Sequence, residues 1–372
     1  MADGWRDEAR TQYETALALS PDHPDAHQGM ANLLQDLGEA AAEQHRQRSY
    51  RGRAVTTLPY RGEGAPRRVL LLVSAAGGNV PTRFLLDDAV FAVSVLAVEA
   101  HTATMVLPPH DLVFNAVGDA DLSASALDAA QAVLAWTAAP VINPPARVRV
   151  TGRAENALNL AGLNGVVTPK VVVARREAVK QVAQSFRFPL LLRSPGFHTG
   201  RYFQRVEAPG ELAGALAALP GPDLMLIEFL DARDERGRAR KYRVMMVGGR
   251  LYPLHLAISD DWKVHYFTAD MADRPDHRAE EAAFLADMPA ILGRRAMAGL
   301  AGVCARLGLD YAGIDFGLGP DGEVLLFEAN ATMVVNPPDQ DPRWDYRRAP
   351  VERILAATRA MLIARADGTA SA

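Results

Sequence analysis

The sequence predicts a mixed α/β and α+β protein, with a short helical segment before a small α/β domain and a larger α+β domain. Apolar residues recur at helical spacing in residues 5–48, and short apolar runs alternate with helical patterns up to about residue 150. From residue 151 onward, helices are interleaved with strands that meet at glycine turns, which indicates α+β structure. These changes place predicted domains at 1–50, 51–150 and 151–366.

Composition narrows the class of protein. The chain has 372 residues, 49% of them hydrophobic and 23% charged, with a net charge of −4. These values are ordinary for a globular protein and argue against nucleic acid or an anionic membrane as its main partner. A single cysteine, Cys304, excludes an internal disulfide framework, and its helical pattern predicts a packing role. The polar amino terminus and the lack of a long apolar run predict a cytoplasmic protein.

The first 50 residues resemble the tetratricopeptide repeat. The spacing is carried by Tyr13, Ala16, Leu17 and Pro21, and it continues into a second helical pattern that ends near Leu37. Fewer than two repeats fit, and such repeats need several copies to bury a core alone. Two interpretations therefore stay open: a helical cap on the next domain, or part of a docking surface for a protein partner.

Residues 49–66 are predicted to be a connector, and the α/β domain begins after it. The run VLLLVSA (69–75) predicts a buried strand, and helices are predicted over 82–98 and around 123–136. Alternation of this kind favours a mostly parallel sheet. The Gly77-Gly78-Asn79 loop that follows the first strand either faces a ligand or is simply a tight turn.

The third region alternates helices with strands. Strands are predicted over 189–193, 202–206 and 224–230. Gly248-Gly249 joins two further strands as a hairpin turn. Predicted helices cover 154–163, 176–186, 210–219, 289–307 and 351–364.

The stretch GIDFGLGPDGEVLLFEANATM (313–333) predicts a hairpin with polar side chains on one face. GPDG has the composition of a chain reversal. If Gly319 pairs with Gly322, Asp315 lies opposite Leu326 and diagonal to Glu328, with Cα atoms roughly 7–8 Å apart. Because alternate residues of a strand share a face, Asp315, Glu328 and Asn330 project to the same side as Leu326.

Two carboxylates and an amide oxygen suit a hard cation. Magnesium takes one or two carboxylates from protein and completes its shell with water and phosphate oxygens. The alternative is that these acids are merely solvated at strand ends. The apolar run before Glu328 favours the metal site.

Two other segments place cations near glycine loops or strand ends. In LLLRSPGFHTG a strand delivers Arg193 to a loop whose small residues permit close approach of phosphate, although many such loops are only turns. Glu228 interrupts an apolar strand, as a hinge residue or an adenine neighbour would. Lys241 and Arg243 share a face of the next strand, which either complements phosphates or is simply solvated.

Taken in order, these segments resemble the ATP-grasp superfamily, most closely its glutathione-synthetase and ribosomal-protein-glutamate-ligase branch. The resemblance covers about 66–335, and its most specific part is the pattern of Asp315, Phe316, Gly322, Glu328 and Asn330. Asn143-Pro144, GVVTP (165–169), the strand–glycine-loop–strand, the IEFL segment and the KYRVMMVGG strand support it.

The resemblance implies a fold of a small α/β domain and two α+β subdomains that enclose ATP and magnesium, with two ions expected. It implies that Asp315, Glu328 and Asn330 hold the metal. Arg243 and Arg193 take the catalytic roles, in which Arg243 steadies the transferred phosphoryl and the substrate carboxylate. The residues implied to bind ATP are Arg153, Arg193, Ser194, His198, Gly200, Glu228, Phe229, Leu230, Asp231 and Lys241, with Glu235 as an alternative ribose partner.

The sequence departs from the family at two positions where lysine is usual, because Arg153 and Arg193 stand there. Arginine keeps the charge and can bind phosphate through two nitrogens, so activity is retained in this interpretation. His255 and His265 are candidates for orienting the acceptor, or are core or surface residues. Asn79, His110, Asp111 and Asn115 are expected to contribute to an acceptor pocket.

The resemblance implies an ATP-dependent carboxylate–amine ligase that forms an amide through an acyl phosphate. Its substrates would be an amino acid, a small peptide or a protein, and neither the acid nor the amine is specified. A small-molecule kinase of the same fold, or a catalytically weak ATP-binding scaffold that acts through the helical amino terminus, is the alternative. No nucleic acid or membrane partner is expected, and a homodimer is left open.

Overall fold

The structure is a computed structural model that describes residues 2–37, 39, 41–51, 53–197, 200–264 and 269–369. The described helices are α1 Ala2–Leu19, α2 Pro24–Leu37, α3 Ala41–Ser49, α4 Ala124–Val133, α5 Pro145–Val148, α6 Arg153–Asn159, α7 Val179–Ala183, α8 Leu212–Ala218, α9 Pro275–Ala286, α10 Met288–Leu307 and α11 Arg348–Ala366. The described strands are β1 Val55–Thr57, β2 Arg67–Val73, β3 Phe91–Ala97, β4 Leu112–Asn115, β5 Val141–Ile142, β6 Val166–Val167, β7 Val171–Arg175, β8 Leu190–Arg193, β9 Phe203–Val206, β10 Asp223–Glu228, β11 Ala239–Val247, β12 Arg250–Ser259, β13 Tyr311–Leu318 and β14 Val324–Asn330.

The first sheet has the strand order β1-β3-β2-β4-β5 and confirms the predicted parallel α/β arrangement. Strand β2 pairs in parallel with β3 and β4, and β4 pairs in parallel with β5. Leu70 and Leu72 on β2 are fully buried, as expected for a central parallel strand. The loops after β2 and β4 therefore meet at one edge of this sheet.

Two local predictions in this region were wrong. The predicted helix over 82–98 is not formed; its second half is strand β3, where buried Phe91 and Val93 alternate with more exposed residues. Alternation with period two and β-branched side chains favour a strand over the helix that the earlier leucines suggested. The predicted connector 49–66 contributes β1, which pairs antiparallel with β3.

The second sheet is small and antiparallel, with the order β7-β10-β8-β9. It packs on α7 and α8 around a separate core that includes Leu190, Leu192 and Leu226. This sheet carries Arg193 at the end of β8 and Glu228 at the end of β10. The predicted strands over 189–193, 202–206 and 224–230 are confirmed.

The third sheet carries the predicted polar hairpin, in the order β12-β11-β13-β14-β6. Its strands pair antiparallel except that β14 runs parallel to β6. Helix α10 packs on it through Leu300, Val303 and Cys304, which belong to a core shared with the first sheet. The predicted packing role of Cys304 is confirmed, whereas α9, which also packs on β12, was not predicted.

The helical amino terminus contacts the first sheet's loop through two glutamines. Gln28 Nε2 donates to the carbonyl of Ala75 at 3.0 Å, and Gln35 Nε2 donates to that of Ala76 at 3.1 Å. The two glutamines are seven residues apart on α2 and so lie on one helix face. This contact agrees with the interpretation of the segment as a cap.

None of the helices in the described part of the chain is both long enough and apolar enough to span a membrane.

Candidate functional site

The β13–β14 hairpin brings the predicted polar side chains to one face. Asp315 pairs directly with Glu328, and Gly313 pairs with Asn330. Residues opposite each other share a face, so Asp315, Glu328 and Asn330 lie on the same side of the sheet. Because Asp315 and Glu328 are direct partners rather than diagonal neighbours, their Cα atoms lie closer together than predicted.

The predicted pairing of the hairpin was wrong by two residues, because Asp315 lies opposite Glu328 and not opposite Leu326. Two shifts of one residue each add to an even number, so Asp315 and Glu328 still lie on the same face. The Gly322 N–H does donate to the Gly319 carbonyl at 3.0 Å, but the strand register continues through the Gly319 N–H, which donates to the Glu323 carbonyl at 2.9 Å, so Gly319 lies opposite Glu323 rather than Gly322. A bulge at Phe327 then adds a second residue to β14. As a result, Leu326 pairs with Phe316 on the core face, and its predicted position beside Asp315 is incorrect.

Asp315 is held by two cations from the neighbouring strand. Arg243 pairs with Asp315 in the β11–β13 register, and its Nη2 donates to Oδ2 at 2.7 Å while its Nε donates to Oδ1. Lys241 Nζ lies 3.2 Å from Oδ2. Burial alone would raise the pKa of Asp315, but Arg243 and Lys241 outweigh it and hold that pKa well below its usual range. Lys241 and Arg243 thus share a face, as predicted.

Glu328 is engaged by Arg153, the first residue of α6. Arg153 Nη2 donates to Glu328 Oε1 at 2.7 Å, and its Nη1 donates to Asp121 Oδ2 at 2.9 Å. Asp121 lies in the loop after β4, so Arg153 connects the first domain to the hairpin. Burial lowers the pKa of Arg153, yet Glu328 and Asp121 raise it overall. A small cleft here is lined by Asp119, Asp121, Thr151, Arg153, Glu328 and Asn330.

Arg193 is the cation of this site whose positive charge is least neutralised by carboxylates. Its Nη2 donates to the carbonyl of Phe197, and its guanidinium lies 5.6 Å from the centre of the Phe203 ring. In the described part of the chain, no carboxylate lies within ion-pair distance of Arg193. Burial and the charge of Arg153 lower the pKa of Arg193 to about 10. An anion placed between these two arginines would relieve that repulsion.

The predicted hinge lies where β10 ends. The Glu228 carboxylate accepts from the Lys170 backbone N–H at 3.0 Å, and the Glu228 N–H donates to the Lys170 carbonyl at 2.8 Å. Glu228 therefore fixes the backbone that enters β7. Phe229 lies beneath Arg205, whose Cζ is 4.4 Å from the ring centre, and beside Trp262.

The remaining hinge residues are more exposed. Leu230 is partly buried, and Asp231 is exposed. The Asp231 carboxylate accepts from Arg233 Nη2 at 2.6 Å, and this hydrogen bond lowers the pKa of Asp231. To contact a ribose, the Asp231 carboxylate would have to give up its hydrogen bond with Arg233 or share its oxygens between the two.

The glycine loop after β8 is only partly available to a ligand. Ser194 is buried, and its hydroxyl donates to the Pro220 carbonyl at 2.7 Å, so the hydroxyl faces the interior rather than the cleft. Gly200 adopts φ of +72° and lies against Lys263, where an added Cβ would come within 2.5 Å of Cε. His198, which was predicted to bind the cofactor, lies outside the described residues.

The predicted acceptor residues do not form one pocket. Asp111 lies at the amino end of β4, where its Oδ1 is 2.5 Å from Arg68 Nη2. Asn79 lies beyond the opposite, carboxyl end of the parallel strand β2. Asn79 closes its own loop by hydrogen bonds to the backbone of Ser74. Asn115 is fully buried and donates to the Asn143 carbonyl at 2.9 Å, and His110 Nε2 bonds to Thr137. These side chains serve the fold.

His255 lies on the same face as the Asp315 ion cluster. It pairs with Arg243 in the β11–β12 register and is 4% exposed. Burial and the charge of Arg243 hold the pKa of His255 well below its ordinary value, so the ring is neutral. The other candidate histidine, His265, lies outside the described residues.

Sequence reasoning missed Asp121 and Lys170. Asp121 sits in the tight GDADLS turn, where Asp119 Oδ1 accepts from the Asp121 and Leu122 N–H groups. An acid in a loop after a parallel strand was the available signal. Lys170 is one of only four lysines, and its Nζ donates to the Ser185 carbonyl at 2.8 Å.

The donor chemistry of the hairpin fits a hard cation. Glu328 and Asn330 line the cleft, and Asp315 lies opposite Glu328. Carboxylate and amide oxygens in this arrangement are ligands that Mg²⁺ accepts. Over the residues that the structure describes, no three His, Cys, Asp or Glu side chains converge as a metal-binding group. Two carboxylates and one amide leave the rest of an octahedral shell to water or phosphate.

Solved structures resemble this chain at low sequence identity. The D-alanine–D-alanine ligase from Bacillus anthracis complexed with ATP is 12% identical, covers 81% of this chain and 97% of its own, and gives a TM-score of 0.50. The RimK domain protein ATP-grasp from Sphaerobacter thermophilus is 16% identical, covers 80% and 99%, and gives 0.49. No protein-family model matches the chain, and no curated protein matches it.

The likeness to the Bacillus anthracis structure and the three-sheet architecture define the class of fold. The chain has the ATP-grasp fold, with its small α/β domain followed by two α+β units. The cation-rich hairpin described above lies where the three units meet, because Arg153 connects the first domain to β14 and Arg193 belongs to the second sheet.

Proposed function

We propose that this protein is an ATP-dependent carboxylate–amine ligase that works through an acyl phosphate. The observation that carries the proposal is the pairing of Asp315 with Glu328 on one face, beside four cations: Arg153, Arg193, Lys241 and Arg243. Oxygen ligands for a divalent metal and nitrogen donors for phosphate thus lie together. The resemblance in fold to a ligase complexed with ATP supports the same nucleotide here.

The chain's own residues would bind and orient the reactants. Asp315, Glu328 and Asn330 would hold Mg²⁺, which, when bound, supplies charge neutralisation for the phosphates of ATP. Arg193 and Arg153 would donate hydrogen bonds to the triphosphate, and the hinge Phe229 and Leu230 would flank the adenine. Arg243, fixed in direction by Asp315, would orient the substrate carboxylate towards the terminal phosphorus.

The reaction balances in two displacements. A carboxylate oxygen bonds to the terminal phosphorus as the bond to ADP breaks, which gives the acyl phosphate. An amine nitrogen then bonds to the acyl carbon, inorganic phosphate leaves with the carbon–oxygen bond pair, and the amine loses a proton. Water has to be excluded from the site, since hydrolysis of the acyl phosphate would waste ATP.

An ADP-release screen tests this proposal. The full-length protein is incubated with Mg²⁺ and ATP against carboxylates alone, amines alone and pairs of the two. A ligase releases ADP over many turnovers only with a pair, since the carboxylate alone allows at most one acyl phosphate per protein, whereas release over many turnovers with one substrate alone selects a small-molecule kinase. Glu328→Gln should abolish release, while Glu352→Gln, an exposed acid on α11, is the matched control. An unchanged rate in Glu328→Gln would remove Glu328 from the site.

A further inference from the structure

Arg153 is positioned between two carboxylates that belong to different parts of the fold. Its Nη2 is 2.7 Å from Glu328 Oε1 on β14, and its Nη1 is 2.9 Å from Asp121 Oδ2 in the loop after β4. The Arg153 backbone N–H also lies 3.3 Å from the Asp121 oxygens. Asp121 therefore holds Arg153 by its backbone and its side chain, while Glu328 holds one end of the guanidinium only.

A metal ion and a guanidinium compete for Glu328. Oε1 already accepts a short charge-assisted hydrogen bond, and a divalent ion at that oxygen would meet the positive charge of Arg153 at close range. Asp315 is also neutralised, but by Arg243 and Lys241, which β11 fixes directly beside it. Arg153 starts a separate helix and has a second carboxylate partner, so it is the cation that can leave.

A polyphosphate would give Arg153 a new partner where a bare metal ion would not. Arg193 lies close enough to Arg153 for their charges to repel, and burial and that repulsion lower the pKa of Arg193 to about 10. Phosphate oxygens placed between these arginines would receive Arg153 as it leaves Glu328. A metal ion alone would have to break the Arg153–Glu328 pair without any such replacement.

We propose that Arg153 occupies Glu328 in the nucleotide-free protein as a built-in substitute for the metal, and that it transfers to phosphate, keeping Asp121, when metal and nucleotide bind together. The inference rests on the proposed function, since it takes Glu328 as a metal ligand. It assigns Arg153 a positioning role in addition to phosphate contact. Its consequence is positive coupling: each of the metal and the nucleotide binds more tightly in the presence of the other.

The test is a titration of the full-length protein with Mn²⁺, in which the electron paramagnetic resonance signal of free Mn²⁺ measures how much of the ion is bound. Wild type should bind Mn²⁺ weakly alone and about tenfold or more tightly with a non-hydrolysable ATP analogue, after subtraction of the Mn²⁺ that the same concentration of analogue binds without protein. Arg153→Met should raise the affinity for Mn²⁺ alone by about tenfold, because Glu328 is released. Adding Glu328→Gln to Arg153→Met should remove that gain, which ties it to this carboxylate.

Two further variants separate the charge of Arg153 from a merely structural role. Arg153→Lys keeps the positive charge and should retain weak Mn²⁺ binding, even if the protein is somewhat less stable. Arg149→Met removes an exposed arginine, which pairs with Asp128, just before α6 and should leave Mn²⁺ binding unchanged. Circular dichroism of each variant confirms that it is folded.

The outcomes distinguish the two levels of the proposal. If wild type binds Mn²⁺ with the analogue but Arg153→Met binds Mn²⁺ alone no more tightly than wild type, the exchange is wrong and the metal site stands. A gain that persists in the double variant also overturns the exchange, since the ion is then elsewhere. If neither protein binds Mn²⁺ with the analogue, the proposed function itself fails.

Discussion

Arg243 and Asp315 lie directly opposite each other on β11 and β13, and both oxygens of the carboxylate accept hydrogen bonds from the guanidinium. Lys241 adds a second cation 3.2 Å from Oδ2. Asp315 is only 3% exposed, so this ion cluster is inside the protein. Buried cations that lose their carboxylate are far more costly than the same loss at the surface.

Replacing Asp315 with asparagine should therefore lower the free energy of unfolding by about 3 kcal/mol or more, because two partly buried cations lose their counter-charge. Urea denaturation of the nucleotide-free protein measures the effect. Asp341→Asn is the matched control, since Asp341 pairs with Arg343 at the surface and its loss should cost less than about 1 kcal/mol. Equal, small losses in both variants would show that the Asp315 cluster contributes little to stability.

Arg193→Met should weaken the binding of Mg²⁺-ATP by roughly 10- to 100-fold, because a charge-assisted hydrogen bond contributes about 1.5–3 kcal/mol. Arg193 is not neutralised by a described carboxylate, so its charge is available to phosphate. Calorimetry at neutral pH measures the dissociation constant. Arg187→Met, an exposed change shortly before β8, should leave it unaltered. If both variants bind like wild type, Arg193 does not contact the nucleotide.

The shared face of Asp315 and Glu328 was predictable from the sequence, because two register errors of one residue each leave the two side chains on the same side of the sheet. The turn is one residue longer than expected and the bulge at Phe327 adds another, so Asp315 and Glu328 still share a face. The exact partner was not predictable. Side-chain alternation reports a face, whereas a bulge depends on how Leu326 and Phe316 pack into the core.

The partners of the site arginines could not be read from the sequence. Asp121 and Glu328 are 207 positions apart, and only the meeting of two domains brings both to Arg153. Local pattern also failed at β3, where Leu85 and Leu86 extended a helical spacing into a strand that its neighbours in the sheet impose. Tertiary pairing overrides weak local preference in such cases.

The glutamine contacts of α2 predict a measurable change in local stability. Gln28→Ala with Gln35→Ala removes both hydrogen bonds to the loop after β2, each contributing about 1 kcal/mol, together with the bonds of these glutamines to Asn32, Ser49 and Arg46, so amide exchange in α2 should quicken by roughly tenfold or more. Hydrogen-exchange mass spectrometry measures it, and ATP binding should stay unchanged. Gln47→Ala, which loses a bond only within α3, is the control. Unaltered exchange in the double variant would mean that other contacts hold the cap.

His255 predicts a loss of stability in acid. Burial and Arg243 hold its pKa well below the ordinary 6.5, so the unfolded chain binds a proton that the folded protein rejects. The stability from this group is complete above pH 6.5 and is lost as pH falls; at pH 5.5 the loss is about 1.4 kcal/mol if the folded ring stays neutral.

Urea denaturation at pH 7.5 and 5.5 should show a smaller difference for His255→Gln than for wild type. His23→Asn, at an exposed position, is the control and should keep the wild-type difference. If His255→Gln keeps it too, the acid sensitivity arises from other groups, such as His45 or His277, whose pKa values burial also lowers.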